Sequence, residues 1–295
     1  MFKLRIKVNP SDMESLVTLL HEHISWGWEE EELSDQTWVF SIYFHQEDAG
    51  VRFKELGLAL CPQIEILEET VPVQDWNNAW KDFFTPIEVD QRFVVLPDWL
   101  QHEKREAIPI VITPKMAFGT GHHATTHLCL QAVSRLWDLG YLKSGQNFLD
   151  LGTGSGILGI ACARLGMNGL GLDIDTVAVD NALENTQINQ VRELFQVRMG
   201  DLSALDPEQK YNLILGNILS STLKQLAPEI IRHLDSSGVL ILSGILTDQA
   251  SSVEKRYQEM GLGRPARLTM QDWSALVWAG SMDSSEQLKL VNALL

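Results

Sequence analysis

The sequence has few cysteines and no long apolar run. Its three cysteines, Cys61, Cys129 and Cys162, lie far apart and form no CxxC pair, which argues against a disulfide framework and against a zinc cluster. We therefore expect a reducing, cytoplasmic environment. Residues 1–8 alternate apolar and charged side chains, and no later stretch has the uninterrupted apolar length that crosses a bilayer, so we expect neither a signal peptide nor a membrane partner.

Positive charge is also scarce. Lys and Arg total 23 against 39 Asp and Glu, a formal net charge of −16 at pH 7. Direct binding to a nucleic-acid backbone is not expected, because phosphate binding relies on clustered cations. The excess acid indicates either plain solubility, which is the simpler interpretation, or attraction of a basic protein partner. With 295 residues and 45% hydrophobic composition, the chain is long enough for two domains with sizeable cores.

Residues 1–70 show strand and helix patterns in the order βαββαβ. Strands are predicted at Phe2–Val8, Trp26–Leu33, Trp38–Phe44 and Gln63–Thr70, with helices at about 11–24 and 47–60. This order is typical of a small ferredoxin-like domain. Because that fold hosts many unrelated functions, it does not indicate an activity.

Residues 71–115 differ in composition, with prolines and aromatics recurring throughout. The prolines are Pro72, Pro86, Pro97, Pro109 and Pro114. We interpret this segment as an ordered connector, in which Trp76 and Trp80, spaced i, i+4, pack between domains.

Residues 116–295 alternate short apolar runs with helical segments. The strands are predicted at Phe148–Leu151, Gly169–Leu172, Tyr211–Leu215 and Val239–Leu242, and helices include Ile157–Leu165 and Val177–Asn189. Such alternation predicts an α/β domain whose parallel sheet is covered on both faces. Ligands of these sheets bind beyond the carboxyl ends of the strands.

A glycine loop follows the first of these strands, in the sequence DLGTGSG that starts at Asp150. Glycines such as Gly152 and Gly154 permit positive φ and a close approach of the backbone to a ligand. Asp173 closes the next strand, where a carboxylate accepts both hydroxyls of an adenosine ribose. The loop and the acid together predict an adenosine-containing cofactor.

Two cofactors remain open on spacing alone. Gly154, Gly156 and Gly159 also satisfy GxGxxG, the dinucleotide signature, so NAD is not excluded. Asp150 at the turn favours S-adenosylmethionine, because an acid there attracts a cationic amine and repels phosphates.

Two further segments bear on the site. Asn217 lies at the predicted carboxyl end of a later strand, where its amide can donate and accept hydrogen bonds near the transferring group. The loop Ala117–Thr126, which includes Phe118 and Gly119, is predicted to cover the cofactor, with its threonines capping a helix that begins near His127. His123 and His127 are spaced i, i+4 but lack an HExxH motif, so no metal is expected.

Together these motifs resemble the bacterial ribosomal protein L11 methyltransferases, a family of class I S-adenosylmethionine-dependent enzymes. The resemblance covers most of the chain and extends to the connector segment Asp75–Phe83. The part of the resemblance that is specific to this family is the Ala117–Thr126 loop combined with Asn217-Ile-Leu. The glycine motif is less specific, because many methyltransferases share it. The chain departs from the usual family pattern at residues 114–116, at Gly216 and in the tail after Gly280, which leaves the substrate open.

The resemblance implies a Rossmann-like class I methyltransferase domain at 116–295, preceded by a ferredoxin-like substrate-recognition domain at 1–70 and a connector at 71–115. It places the cofactor contacts on seven residues: Phe118, Gly119, Thr126, Gly152, Gly154, Asp173 and Asn217. Among these, Asn217 is also the residue expected to orient the methyl-accepting amine.

The implied reaction is methylation of lysine side chains, the N-terminal amine, or both, in ribosomal protein L11, a basic protein. Methylation of a different protein's lysines, a nicotinamide-dependent oxidoreductase and a non-catalytic adaptor are the alternatives. The sequence makes no prediction of the oligomeric state.

Overall fold

The computed structural model describes residues 2–10, 12–24, 28–32, 37–44, 47–70, 85–102, 105–113 and 123–279. The chain divides into two units, Met1–Phe83 and Phe84–Leu295, each of which is described by itself. The interpretations of Trp76 and Trp80 fall outside the described residues. Within the described ranges, no helix combines the length and apolar character needed to cross a membrane.

The first unit is a four-stranded antiparallel sheet with two helices. Its elements are β1 (Phe2–Val8), α1 (Met13–His23), β2 (Glu29–Glu32), β3 (Trp38–Phe44), α2 (Glu47–Leu60) and β4 (Glu65–Thr70). Every second residue of β1 is buried, because alternate side chains of a strand point to the same face. The sheet order β2-β3-β1-β4 confirms the predicted ferredoxin-like domain.

The second unit begins with a small sheet inside the segment that the sequence predicted as a connector. Strands β5 (Ile87–Val89), β6 (Phe93–Pro97) and β7 (Ile108–Ile112) pair in that order. Pro97 is the last residue of β6 and Pro109 lies in the edge strand β7, two positions that tolerate the missing N–H group. Asn189 holds β7 in place, because its side chain accepts from the Val111 amide at 2.8 Å and donates to the Val111 carbonyl at 2.6 Å.

A seven-stranded sheet forms the centre of the second unit. Its strands are β8 (Asn147–Leu151), β9 (Asn168–Asp173), β10 (Phe195–Met199), β11 (Tyr211–Asn217), β12 (Leu234–Leu246), β13 (Ala266–Met270) and β14 (Trp273–Ala279). The helices are α3 (Ala124–Asp138), α4 (Ile157–Arg164), α5 (Thr176–Ile188), α6 (Ser220–Gln225), α7 (Ala227–His233) and α8 (Ala250–Glu259). Buried residues form a separate apolar cluster on each face, which fits a sheet covered on both sides.

The sheet order is β10-β9-β8-β11-β12-β14-β13. The prediction of a parallel sheet is right for β8 to β12, and β13 runs in the same direction. Only β14 is reversed, since it pairs antiparallel with both β12 and β13. The reason is local: β13 and β14 are separated by Gln271 and Asp272 alone, with Gln271 at φ 53°. A turn that short joins antiparallel strands.

Gly159 in α4 leaves space for a core aromatic. A Cβ at this position would lie 2.1 Å from Cζ of Phe195, whose side chain is buried. We expect Gly159→Ala to lower the free energy of unfolding by about 1–3 kcal/mol, because an added methyl overpacks a filled core. Gly57→Ala in α2 is the matched control, since a Cβ there makes only ordinary contact at 3.5 Å and helix propensity favours alanine by about 0.5–1 kcal/mol. Urea unfolding followed by circular dichroism measures both, and equal stability of the two variants would contradict this packing.

Candidate active site

The order of the sheet locates the functional edge. From β8 the chain moves outward through β9 and β10 on one side and through β11 and β12 on the other, so the order reverses between β8 and β11. Ligands of open α/β sheets bind in the crevice beyond the carboxyl ends of the strands at such a point. The residues that end or follow β8, β9 and β11 therefore converge there. They include four predicted site residues: Gly152, Gly154, Asp173 and Asn217.

The glycine loop of residues 152–156 connects β8 to α4. Gly152, Gly154 and Gly156 have φ of 68°, 55° and 81°, conformations in which other residues are strained. The Gly152 amide also donates to the Leu172 carbonyl at 2.8 Å, which attaches the loop to β9.

Asp173, the last residue of β9, holds this loop. Its Oδ2 accepts a hydrogen bond from the Gly154 amide at 2.9 Å, and its Oδ1 accepts one from the Asp175 amide at 3.0 Å. A carboxylate has about four acceptor positions, so two further donors can be accommodated. The structure thus brings Asp173 and Gly154 into contact and leaves the acid able to accept the hydroxyl pair of a ribose.

Asp150 holds the glycine loop through hydrogen bonds. Its fully buried Oδ2 accepts from the Thr153 hydroxyl at 2.6 Å and from the Gly159 amide at 3.1 Å. Burial raises the pKa of this carboxyl to about 6, against the lowering effect of those hydrogen bonds. From the sequence, Asp150 was interpreted as favouring a cofactor with a cationic amine. In the structure its carboxylate holds the glycine loop and the start of α4.

The raised pKa of Asp150 predicts a pH effect on stability. The folded carboxyl keeps its proton to about pH 6 and the unfolded one to about pH 4, so this group favours folding at low pH and loses that contribution as pH rises between those values. Asp150→Asn cannot ionise. We compare the free energy of unfolding of the variant with that of the natural chain. The variant's value minus the natural chain's value is expected to increase by about 2–3 kcal/mol between about pH 4 and about pH 7. Urea titrations across this range test the effect, and a difference that does not change with pH would contradict it.

Asn217 and Thr126 meet across the crevice. Nδ2 of Asn217 donates to Oγ1 of Thr126 at 3.4 Å, joining the end of β11 to the first turn of α3. Oδ1 of Asn217 is buried and has no hydrogen-bond partner. An orphan acceptor of this kind is costly unless a ligand supplies a donor.

The start of α3 corrects one prediction. The helix begins at Ala124 rather than near His127, so Thr125 and Thr126 lie in its first turn and do not cap it. The cap is His123, whose Nδ1 accepts from the Thr125 amide at 3.3 Å. Thr126 is therefore free of a capping role and faces Asn217.

Phe118 and Gly119, the other two predicted cofactor contacts, lie outside the described residues. Among the residues that are described, no group of three or more His, Cys, Asp or Glu side chains is arranged to hold a metal ion.

Sequence reasoning missed three apolar residues at the carboxyl edge. Ile174 is 78% exposed, Met199 63% and Leu219 72%. Ile174 directly follows β9, Met199 ends β10 and Leu219 lies two residues after β11. Met199 also pairs with Asp173 in the sheet. Strand-end leucines and isoleucines usually extend a core, so no signal in the sequence distinguishes exposed residues from buried ones here.

Comparison with known families decides the class of protein. A family model described as Ribosomal protein L11 methyltransferase (PrmA) matches residues 3–280. The chain belongs to this family. It is therefore an S-adenosylmethionine-dependent methyltransferase, and membership excludes the oxidoreductase that the GxGxxG spacing had left open.

Proteins of this family from several bacteria are similar to this chain. A ribosomal protein L11 methyltransferase of Chloroflexus aurantiacus is 37% identical over 237 residues, covering 72% of this chain and 71% of that protein. One from Syntrophotalea carbinolica is 36% identical over 256 residues, with 82% of each chain covered. One from Desulfitobacterium hafniense is 39% identical over 194 residues, which is 65% of this chain and 60% of its own length.

A solved structure supports the fold. The ribosomal protein L11 methylase of Lactobacillus delbrueckii subsp. bulgaricus superposes with a TM-score of 0.59 at 27% identity, covering 67% of this chain and all of that one. The predicted Rossmann-like methyltransferase fold of the second unit is confirmed.

Proposed function

We propose that this enzyme transfers methyl groups from S-adenosylmethionine to amino groups of ribosomal protein L11, at lysine side chains, the N-terminal amine, or both. The observation that carries the proposal is the orphan Oδ1 of Asn217, a buried acceptor at the switch point of the sheet. An amine is a donor that satisfies it. The names of the relatives support the choice of protein substrate.

The described residues fit the cofactor. Asp173 would accept the ribose hydroxyls, and the backbone of Gly152 and Gly154 would approach the methionine end. Ile174 and Met199, exposed beside Asp173, would pack on the adenine. By their positions in the family motif, Phe118, Gly119 and Thr126 complete the set. When bound, the cofactor supplies a methyl carbon attached to a positively charged sulfur, which is open to attack by an amine.

The chain's contribution to catalysis is orientation of the amine. A lysine amine has an unperturbed pKa near 10.4 and is mostly protonated at neutral pH. A desolvated crevice lowers that pKa and favours the neutral, nucleophilic form. Oδ1 of Asn217 then accepts one N–H of the amine, which fixes the direction of the nitrogen lone pair. Oγ1 of Thr126 accepts a hydrogen bond from Nδ2 of Asn217 and so keeps the side-chain amide in place. In favourable cases such alignment supplies about 7–11 kcal/mol of the barrier reduction.

The three parts of the chain would have separate roles in this reaction. Residues 1–70 would recognise the protein substrate, 71–115 would connect, and 116–295 would carry out transfer. The exposed glutamates Glu29, Glu30 and Glu31 on the edge strand β2 present negative charge to a basic partner. The enzyme would act in the cytoplasm, with no direct contact to nucleic acid or membrane.

Excess negative charge predicts a salt effect on substrate capture. We expect the KM for ribosomal protein L11 to rise as ionic strength increases from about 0.01 M to about 0.15 M, because the Debye length shortens from about 30 Å to about 8 Å. The rate of single-turnover transfer from the saturated complex should stay constant. Steady-state assays at matched pH measure both quantities, and a KM that does not respond to salt would assign the charge to solubility alone.

Labelling of a ribosomal protein mixture tests the substrate. The enzyme is incubated with isotopically labelled S-adenosylmethionine and the proteins of unmethylated ribosomes, and modified peptides are mapped by mass spectrometry. Label on amino groups of ribosomal protein L11 supports the proposal, whereas label confined to lysines of another protein contradicts it. Thermal stabilisation by S-adenosylhomocysteine but not by NAD controls for an active preparation.

A further inference from the structure

The segment from Asn217, the last residue of β11, to Ser220, the first residue of α6, is fixed at both ends. Asn217 bonds to Thr126 on one side. On the other side the Ser220 hydroxyl donates to Oε1 of Gln249 at 2.6 Å, and the Leu219 carbonyl accepts from the Leu223 amide at 3.0 Å as α6 begins. These bonds tie the segment to three different helices or their caps.

Ile218 in the middle of the segment is wedged between two glycines. A Cβ on Gly244, whose φ is 77°, would lie 2.4 Å from the Ile218 carbonyl oxygen. A Cβ on Gly152 would lie 2.3 Å from Cγ2 of Ile218. The backbone thus packs against the end of β12 and the side chain against the glycine loop, so the segment has little room to shift.

Leu219 is the exposed member of this fixed segment. Single exposed leucines are ordinary on protein surfaces, but their distribution here is uneven. In the described part of the second unit, four of the five large apolar side chains that are exposed lie at the carboxyl edge of the sheet: Ile174, Val177, Met199 and Leu219. The fifth, Leu139, lies at the end of α3.

The strand order separates these four residues into two groups. Ile174, Val177 and Met199 are on the side of β9 and β10, beside the ribose-binding acid. Leu219 is on the side of β11, with β8 and its glycine loop between it and the others. Leu219 is thus close to Asn217 in the chain and apart from the apolar residues beside Asp173.

We infer that Leu219 is a specificity-determining residue that packs on the methylene stem of a lysine whose amine meets Asn217. This inference rests on the proposed function. Residues two apart in a chain have Cα atoms at most about 7 Å apart, a span comparable to an extended lysine side chain. Lysine stems bury readily along apolar surfaces while the amine stays polar. An N-terminal amine has no such stem, so Leu219 favours lysine acceptors over the N-terminal one.

The test compares two acceptors with the full-length enzyme. The probes are a lysine peptide with a blocked N-terminus and a lysine-free peptide with a free one, both taken from the ribosomal protein L11 sequence. Leu219→Ala is expected to lower kcat/KM for the lysine peptide about tenfold, the order expected when contact with one apolar side chain is lost, and to change the other peptide by less than about twofold. Leu219→Met should recover most of the lysine activity.

Controls separate this inference from the proposed function. Leu139→Ala removes another exposed leucine, which lies at the far end of α3 from Thr126, and should leave methylation of both peptides unchanged. Binding of S-adenosylhomocysteine to Leu219→Ala should also be unchanged. A lysine kcat/KM that is unaffected by Leu219→Ala, or an equal fall for both peptides, would overturn the inference. Failure of the natural enzyme to methylate either peptide would instead count against the proposed function.

Discussion

Asp173→Asn is expected to raise the dissociation constant for S-adenosylmethionine by tenfold or more. The two carboxylate oxygens already accept the amides of Gly154 and Asp175. An asparagine keeps one acceptor and turns an NH₂ group toward the other amide, so the loop loosens and the ribose loses an ionised partner. Hydrogen bonds to charged groups contribute about 1.5–3 kcal/mol each, which corresponds to about 10- to 150-fold in affinity.

Isothermal titration calorimetry measures this change directly. The matched control is Asp235→Asn, because Asp235 Oδ1 also accepts the amide two residues ahead, that of Ser237 at 2.9 Å, but lies in the first residues of β12, at the opposite edge of the sheet. The control should bind the cofactor as the natural enzyme does. Unchanged affinity in Asp173→Asn would remove Asp173 from the cofactor site.

Asn217→Ala is expected to slow single-turnover methyl transfer about 100-fold while changing cofactor affinity by less than about threefold. The amine loses the acceptor that orients it, and a small misplacement of reacting atoms costs about this factor. Thr126→Val should have a smaller effect on transfer, because it removes the hydroxyl that holds the Asn217 amide and leaves Asn217 itself in place.

Rapid-quench assays with saturating cofactor measure the transfer step. Asn212→Ala is the matched control on the same strand, since Asn212 pairs with Asn147 at the amino end of β11, away from the crevice. It should leave the transfer rate unchanged even if it lowers stability. Equal losses of cofactor affinity and transfer rate in Asn217→Ala would assign Asn217 to cofactor binding alone.

The elements predicted well from sequence were those whose patterns are local. The alternation in β1, the amphipathic α2 and the run before the glycine loop each appear in consecutive residues, and the predicted bounds of these elements are within a residue of those observed. The small sheet of β5 to β7 was missed because prolines mask its strands, and they are tolerated only at the end of β6 and in the edge strand β7.

The sequence predicted which candidate residues lie at strand ends, but not the contacts between them. The positions of Gly154, Asp173 and Asn217 followed from strand ends and glycine spacing. The bond from Gly154 to Asp173, the pairing of Thr126 with Asn217 and the wedge made by Ile218 join residues 19 or more positions apart. Such contacts depend on the sheet order, which a single sequence does not specify. The exposure of Leu219 depends on the same contacts.

Methylation of purified ribosomal protein L11 is a direct test of the proposed reaction. The natural enzyme and Asn217→Ala are each incubated with S-adenosylmethionine and unmethylated L11, and the mass of intact L11 is followed over time. We expect stepwise addition of methyl groups by the natural enzyme and a rate about 100-fold lower with Asn217→Ala. No added methyl groups with the natural enzyme, or equal rates for the two proteins, would contradict this expectation.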